Sequence, residues 1–462
     1  MAAIATKSWS TYMNDLGYDP EQDALPSHYN SEVTPDDTTI TLPPEIFTLI
    51  AEQLDEFYDE DTLISLCLVS RVWCQAAQPR LFTRIHLFDA EKCGFWSKKF
   101  TQSPHLSRYV KEIKISDPKR TWFLGSLQAS NVASFLTNVE VLHVEDYQEW
   151  GKKEQSIVKM FQGVKHLDLK DIAAYTWDKD LPELVFSLPL LERLDVESTW
   201  TCHHWERGSR TNLAYLSPNI RGEQTIKLKE IGLHDRLIED GLLDWLGGSD
   251  FDLSQLHTLT LGRASYSCPF DKFIARVADH ARYLSIHVDK ETDDPLLDLQ
   301  AEHSILFNAL NKCTFLTTLT LCASEDEHTL PSVLHCALGI LRKFSQHDEA
   351  PRLETITLSA GIKVYKENDL SSMQELRDWQ DLDDTLTIEE AQVKFPVLRS
   401  VEVSVHVEVL LLGPKDASKQ GPVVEEEDVF DMIESCLPQL DSRGMLDVRL
   451  SSQTLAVPPY SL

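Results

Sequence analysis

The strongest constraint on the fold is a short apolar pattern that recurs from about residue 106 onwards. The pattern is Φ-x-x-Φ-x-Φ, where Φ is an apolar residue and x is usually polar. Successive copies start 25 to 47 residues apart. Strict copies start at Val110, Val139, Val164, Leu191, Leu256, Leu316, Leu353 and Leu398, and looser copies start at Glu223, Ala281 and Met445.

Chance alone does not explain the polar residues inside the pattern. Random placement of Val, Ile and Leu would give roughly five strict copies over this span. However, seven of the eight strict copies also have a polar residue at every x position, as in Leu191-Glu-Arg-Leu-Asp-Val196. Random placement would give about one such copy. The polar x positions, together with the ordered spacing, therefore indicate a structural repeat.

The pattern predicts strands that stack side by side. In Φ-x-Φ the two apolar side chains share one face of a strand, and the polar side chain takes the other face. A single short strand cannot bury that apolar face, whereas stacked copies bury it as a parallel sheet. Leu194, Leu259 and Leu319 should then point into one core. Helices should return the chain between strands, and the sequence favours helices over Ser156–Phe161, Ser304–Leu310 and Val333–Phe344.

This arrangement resembles a leucine-rich-repeat solenoid, and the expected fold class is α/β with a parallel sheet. The spacing is longer and less regular than the usual 20 to 29 residues. The Asn that commonly follows the strand is missing. We assign residues 106–455 to an irregular solenoid. Within it, residues 365–394 are acidic and resemble an insertion that ends in a helix from Thr387.

Composition limits the class of partner. The chain has 462 residues and a formal charge of −31, so it repels phosphate backbones and anionic lipid. We therefore expect neither nucleic acid nor membrane as a partner. The nine cysteines form no CxxC pair, which is typical of reduced thiols in a cytoplasmic or nuclear protein. Residues 1–38 lack periodicity and are expected to be a disordered acidic tail.

Three short helices are predicted between the tail and the repeats. Pro43 fits the first turn of a helix, where backbone N–H groups have no partner within the helix. Ile46, Ile50 and Leu54 follow at helical spacing as one apolar stripe. Asp61 is a candidate cap for a second helix, and Ser70 for a third helix that Pro79 would end. The second helix carries Leu63, Leu66 and Val69, and the third carries Val72, Trp73, Ala76 and Ala77.

This stretch resembles the F-box, particularly that of the large fungal F-box families, and we assign residues 39–90 to it. The resemblance implies that the segment binds the Skp-family adaptor of a cullin–RING ubiquitin ligase. The longer loop after Leu54 is a departure from the family pattern. The alternative is that the helices only cap the repeat array. The implied adaptor-binding residues are Leu42, Pro43, Ile46, Ile50, Leu54, Leu63, Leu66, Val69 and Trp73.

The implied function is that of a non-enzymatic substrate receptor, with the target protein held by the solenoid. One alternative is an interaction scaffold that directs no degradation, and another is an enzyme on an irregular α/β frame. No residues are assigned as catalytic, cofactor-binding or metal-binding. The run Thr201–Trp205 favours a surface loop over a metal site, because adjacent histidines rarely both reach one ion. Trp177, Trp200 and Trp205 form either an aromatic pocket or ordinary loop packing.

Overall fold

A computed structural model gives the arrangement of most of the chain. It describes residues 42–54, 59–116, 132–146, 156–171, 183–197, 225–234, 245–248, 251–262, 268–288, 312–323, 330–346, 352–364, 377–387, 395–411 and 426–456, and the single residues 181, 243 and 310.

Among the described residues, the core of the fold is a parallel sheet of twelve strands in the order β1-β2-β3-β4-β5-β7-β9-β10-β11-β12-β13-β14. Strands next to each other in the sheet follow one another along the chain, apart from two short strands that pair elsewhere. This confirms the predicted α/β class with a parallel sheet. The strands are β1 Arg84–Leu87, β2 Glu112–Ser116, β3 Val141–Glu145, β4 His166–Lys170, β5 Arg193–Glu197, β6 Ile226–Lys227, β7 Glu230–Leu233, β8 Phe251–Asp252, β9 Thr258–Leu261, β10 Tyr283–Val288, β11 Thr318–Ala323, β12 Thr355–Val364, β13 Ser400–Leu411 and β14 Leu446–Ala456.

One apolar row crosses the whole sheet. Leu194, Leu259 and Leu319 belong to it and are buried in a common core, as the repeat pattern predicts. All eight strict copies of the pattern form strands of this sheet. In register, the row contains Ile85, Ile113, Leu142, Leu167, Leu194, Ile231, Leu259, Leu284, Leu319, Ile356, Val401 and Leu446.

Two of the looser copies are corrected by the structure. Glu223 lies outside the described residues, and the strand of its copy is β6, which pairs with β8 in a separate two-stranded sheet. The strand that joins the main sheet is β7, whose pattern starts at the buried Leu228. In the last strand, Leu446 rather than Val448 pairs with Val401, so the copy at Met445 is two residues out of register.

The sheet begins earlier than the predicted boundary at residue 106. β1 lies within the range assigned to the F-box, yet it pairs with β2 along its whole length. Phe82, Ile85 and Leu87 complete one more Φ-x-x-Φ-x-Φ copy, and all three are buried. The three helices therefore lead directly into the first strand.

Helices connect most of the strands. The predicted helix at Val333–Phe344 is confirmed within α7. In the acidic segment the structure has a helix, α8, over Arg377–Thr387, whereas the helix predicted from Thr387 onwards lies outside the described residues. Residues 156–158 form a single helical turn, and most of Ser304–Leu310 lies outside the described residues. The helices are α1 Pro44–Glu52, α2 Glu60–Val69, α3 Arg71–Leu81, α4 Ala90–Gln102, a 3₁₀ helix Pro104–Tyr109, α5 Val132–Phe135, α6 Cys268–Val277, α7 Leu330–Gln346, α8 Arg377–Thr387, α9 Glu426–Cys436 and α10 Pro438–Ser442.

Candidate protein-docking surface

α1 starts at a pair of prolines. Pro43 is in the N-cap position and makes no side-chain capping bond, and Pro44 is the first helical residue. Proline is favoured there because its missing N–H would be unpaired in any residue and its φ angle is already helical. Glu45 follows in the first turn, where a negative charge is favourable.

The starts of α2 and α3 differ from one another. α2 begins at Glu60, so Asp61 lies inside its first turn and is not the cap predicted from the sequence. Ser70 does cap α3, as predicted, because its side chain accepts a hydrogen bond from the backbone N–H of Trp73 at 3.4 Å. Pro79 does not end α3, which continues to Leu81.

A small core of packed side chains holds the three helices together. The Phe47 ring of α1 meets the Trp73 ring of α3 edge-on, with 4.7 Å between the centroids. The guanidinium of Arg80 donates a hydrogen bond to the carbonyl of Leu54 at 2.9 Å. Leu63 was predicted to bind the adaptor, but it is fully buried, so it packs inside the three helices and not on their outer side. Trp73 is half-buried and likewise packs inward on Phe47.

The outer side of these helices is strongly apolar. Among the described residues, eleven large hydrophobic side chains are exposed, and seven of them lie between residues 42 and 72. Those seven form what we call the docking surface. They are Leu42 (47% exposed), Ile46 (36%), Leu49 (54%), Ile50 (42%), Leu68 (65%), Val69 (67%) and Val72 (40%).

The docking surface overlaps with the predicted set but is not identical to it. Pro43 is also exposed, and Leu54 and Leu66 are half-buried beside the surface. Leu49, Leu68 and Val72 belong to the docking surface but were not among the predicted adaptor-binding residues. Leu49 lies three residues after Ile46, a spacing that places both on one side of a helix, so the sequence did contain that signal. Leu68 and Val72 fall outside the F-box pattern.

The open face of the sheet is a second candidate surface, and over β1–β7 its charges are paired with one another. His143 lies between Glu112 and Asp168, at 2.9 and 2.7 Å. Burial alone would lower the pKa of His143, but hydrogen bonds with Asp168 and Glu112 raise the pKa to about 9. His143 is therefore an imidazolium at neutral pH.

Asp195 forms a similar cluster on the neighbouring strands. Its carboxylate accepts hydrogen bonds from His166 at 2.7 Å and from Arg193 at 2.6 Å. Burial by itself would raise the pKa of Asp195, yet these two bonds outweigh burial and lower the pKa. Because such groups satisfy one another, this half of the face offers few free charges to a partner.

Over β9, β10 and β11 the open face carries hydroxyl groups in place of charges. Thr258, Tyr283 and Thr318 are adjacent in one row across β9, β10 and β11. Tyr283 is 48% exposed, which makes it the most prominent aromatic side chain on the described part of this face. Tyrosine supplies both apolar area and a polar tip, a combination common at protein interfaces.

Some sequence-based candidates cannot be placed. Trp177, Trp200, Thr201–Trp205 and the tail over residues 1–38 lie outside the described residues. In the part of the chain that is described, no three His, Cys, Asp or Glu side chains come together in a group that could hold a metal ion. No helix in that part is both long and apolar enough to cross a membrane.

Comparison with known proteins adds no relative. The chain matches no family model, and it matches no curated protein.

Proposed function

We propose that the chain is the substrate receptor of a Skp-cullin-F-box type ubiquitin ligase. The observation that carries this proposal is the docking surface, because six large apolar side chains lie exposed on three short helices and Leu42 lies exposed just before the first of them. Exposed apolar patches of this kind mark protein interaction sites. The order of the sequence motif, from Leu42-Pro43 to Ser70-x-x-Trp73, supports the Skp-family adaptor as the partner that covers them.

The internal packing of the three helices supports the same proposal. Leu63, Trp73 and Ala77 hold the helices together from inside, so the docking surface is not needed for that purpose. A helical cap for the repeats would bury its apolar side chains against the sheet. Here the outward side chains instead remain open to a partner.

We place the target protein on the open face of the solenoid over β9–β11. The charges of β1–β7 are already paired, whereas Tyr283 is 48% exposed and lies in one row with Thr258 and Thr318. In this arrangement the helices fix the chain to the ligase and the sheet holds the target near the ubiquitin-conjugating enzyme. The receptor acts by proximity and performs no chemistry of its own.

The test replaces residues at the entry to α1. Leu42 is exposed and lies before the first turn, so Leu42→Ala with Pro43→Ala should leave the fold intact by circular dichroism. Loss of an anchor should cost about 2 kcal/mol, or about thirtyfold in adaptor affinity. The matched control is Met160→Ala with Leu190→Ala, which removes exposed apolar groups outside the three helices and should retain the adaptor.

The outcomes separate the candidate functions. Undiminished binding of the adaptor by the folded double variant would contradict the F-box assignment. Adaptor binding without ubiquitination of any captured target would favour the alternative, an interaction scaffold. Tyr283→Ala should retain the adaptor but lose captured target. If the target stays bound to that variant, our placement of the target-binding face is wrong.

A further inference from the structure

The last strand of the sheet has a long open edge. Within the described residues, β14 pairs with β13 on one side and with no strand on the other. β14 has eleven residues and contains no proline, whereas β1 at the opposite end has four residues. Edge strands normally avoid this exposure by being short, charged or interrupted, because their free N–H and C=O groups attract another strand.

The apolar row is also incomplete at this end. Val401, Val403 and Val405 on β13 are fully buried. Their partners in β14 are Leu446, Val448 and Leu450, and these three are only half-buried. One further strand beside β14 would complete their burial, as each neighbouring strand does in the rest of the sheet.

The backbone of β14 fixes which residues can pair across this edge. The N–H of Val401 donates to the carbonyl of Met445 at 2.7 Å, so Met445 directs its backbone groups toward β13. Successive residues of a strand direct these groups to opposite sides. Leu446, Val448 and Leu450 therefore direct their N–H and C=O groups outward, where a new strand would bind them.

The side chains of residues 446–450 are complementary to those of a second copy that runs antiparallel to the first. Residues 446–450 are Leu-Asp-Val-Arg-Leu. If two copies pair antiparallel about Val448, Leu446 faces Leu450 of the other copy and Asp447 faces Arg449. Asp447 and Arg449 are then in the positions without direct backbone bonds, where side chains of opposing strands come closest. Opposite charges would thus meet twice in the pair, and these contacts would add to or replace those that Arg449 makes within its own chain, to Asp447 at 2.8 Å and to Glu402 at 3.3 Å.

We propose that this chain forms a two-fold symmetric dimer in which β14 pairs antiparallel with β14 of a second copy, centred on Val448. The dimer joins the two sheets edge to edge and leaves the docking surface, at the other end of each sheet, open. This proposal is independent of the F-box assignment. A two-fold interface requires a self-complementary surface, and the Leu-Asp-Val-Arg-Leu stretch supplies one.

Charge reversal tests the dimer and its register together. The full-length protein should form a dimer that dissociates on dilution in analytical ultracentrifugation. Arg449→Asp should weaken the dimer by about tenfold or more, because Asp447 of one copy then faces an Asp of the other. Asp447→Arg should weaken it in the same way, with two arginines opposed. Arg108→Asp makes an equal change of charge at an exposed position on the 3₁₀ helix and should leave the dimer intact.

Mixing provides the decisive measurement. When Arg449→Asp and Asp447→Arg proteins are combined, every facing pair becomes opposite in charge, so a mixed dimer should form. The double variant Asp447→Arg with Arg449→Asp should also dimerise alone. Thermal unfolding of each variant identifies loss of fold. A monomeric wild type at every concentration, or folded single variants that dimerise normally or do not recover on mixing, would overturn the proposal.

Discussion

The carboxylate of Asp195 occupies the space in which a side chain at Gly232 would lie. The two residues are direct partners in neighbouring strands β5 and β7, and both are buried. A β carbon added at Gly232 would overlap with the Oδ1 atom of Asp195. The absence of a side chain at residue 232 therefore lets Asp195 lie flat on the open face, where it binds His166 and Arg193.

We predict that Gly232→Ala destabilises the fold. The new methyl group must displace the Asp195 carboxylate from His166 and Arg193, and overpacking of this kind typically costs about 1 to 3 kcal/mol. The free energy of unfolding in urea measures the effect. Gly94→Ala is the matched control, because a β carbon at Gly94 of α4 meets no atom within 4 Å. That variant should be as stable as wild type or more so, since alanine favours a helix. Equal stability of the two variants would contradict the close contact.

His143 should make stability fall at alkaline pH. Its pKa is raised from 6.5 to about 9 by its hydrogen bonds with Asp168 and Glu112, which outweigh the effect of burial. The folded protein thus keeps a proton that the unfolded chain releases. The contribution of His143 to stability is complete below about pH 6.5 and is lost as the pH rises through about 9, with a slope of at most about 1.4 kcal/mol per pH unit.

The measurement for His143 is urea unfolding at a series of pH values. His143→Gln should be less stable than wild type near neutral pH, and the difference should shrink between about pH 6.5 and 9. Replacement of the exposed His105 by Gln should give the same change of unfolding free energy with pH as in the wild type. A difference between His143→Gln and wild type that does not change with pH would show that the imidazole is not charged in the fold.

The repeat pattern predicted the sheet because strand pairing depends on local alternation. Leu194 and Leu259 could be placed in one core from their spacing alone. By contrast, the hydrogen bond between Asp195 and His166 is diagonal, because His166 stands opposite Arg193 and Asp195 stands opposite Asp168. The repeat pattern predicts the register but not which side chains bond across it. The strand at Leu228 was missed because the copy assigned at Glu223 ends on Leu228, the residue at which the strand's own copy starts.

The docking surface was only partly predictable for a different reason. The helical period places Ile46 and Ile50 on one side of α1. Whether Leu63 points inward or Leu68 points outward depends on how α2 meets α3, which is a property of the tertiary structure. The half-buried β14 row could not be inferred either, because the sequence does not show where stacking stops.

Asp383 should be essential for the packing of the last helices. It is 2% exposed on α8, and its two oxygens accept hydrogen bonds from the backbone N–H groups of Gln439 and Leu440 at 3.0 and 2.9 Å. These N–H groups lie in the first turn of α10, where the helix itself provides no acceptor. The carboxylate therefore caps α10 from a neighbouring helix, just before the chain enters β14.

We predict that Asp383→Ala lowers the free energy of unfolding by about 2 kcal/mol, because it leaves the buried N–H of Leu440 and the part-buried N–H of Gln439 without a partner. Asp384→Ala is the matched control. Asp384 accepts a bond from the Gln439 side chain at an exposed site, so its loss should cost about 0.5 kcal/mol or less. Amide hydrogen exchange at Gln439 and Leu440 should rise in the Asp383 variant alone. Equal stability of the two alanine variants, with unchanged exchange at both amides, would show that Asp383 does not hold α10 in place.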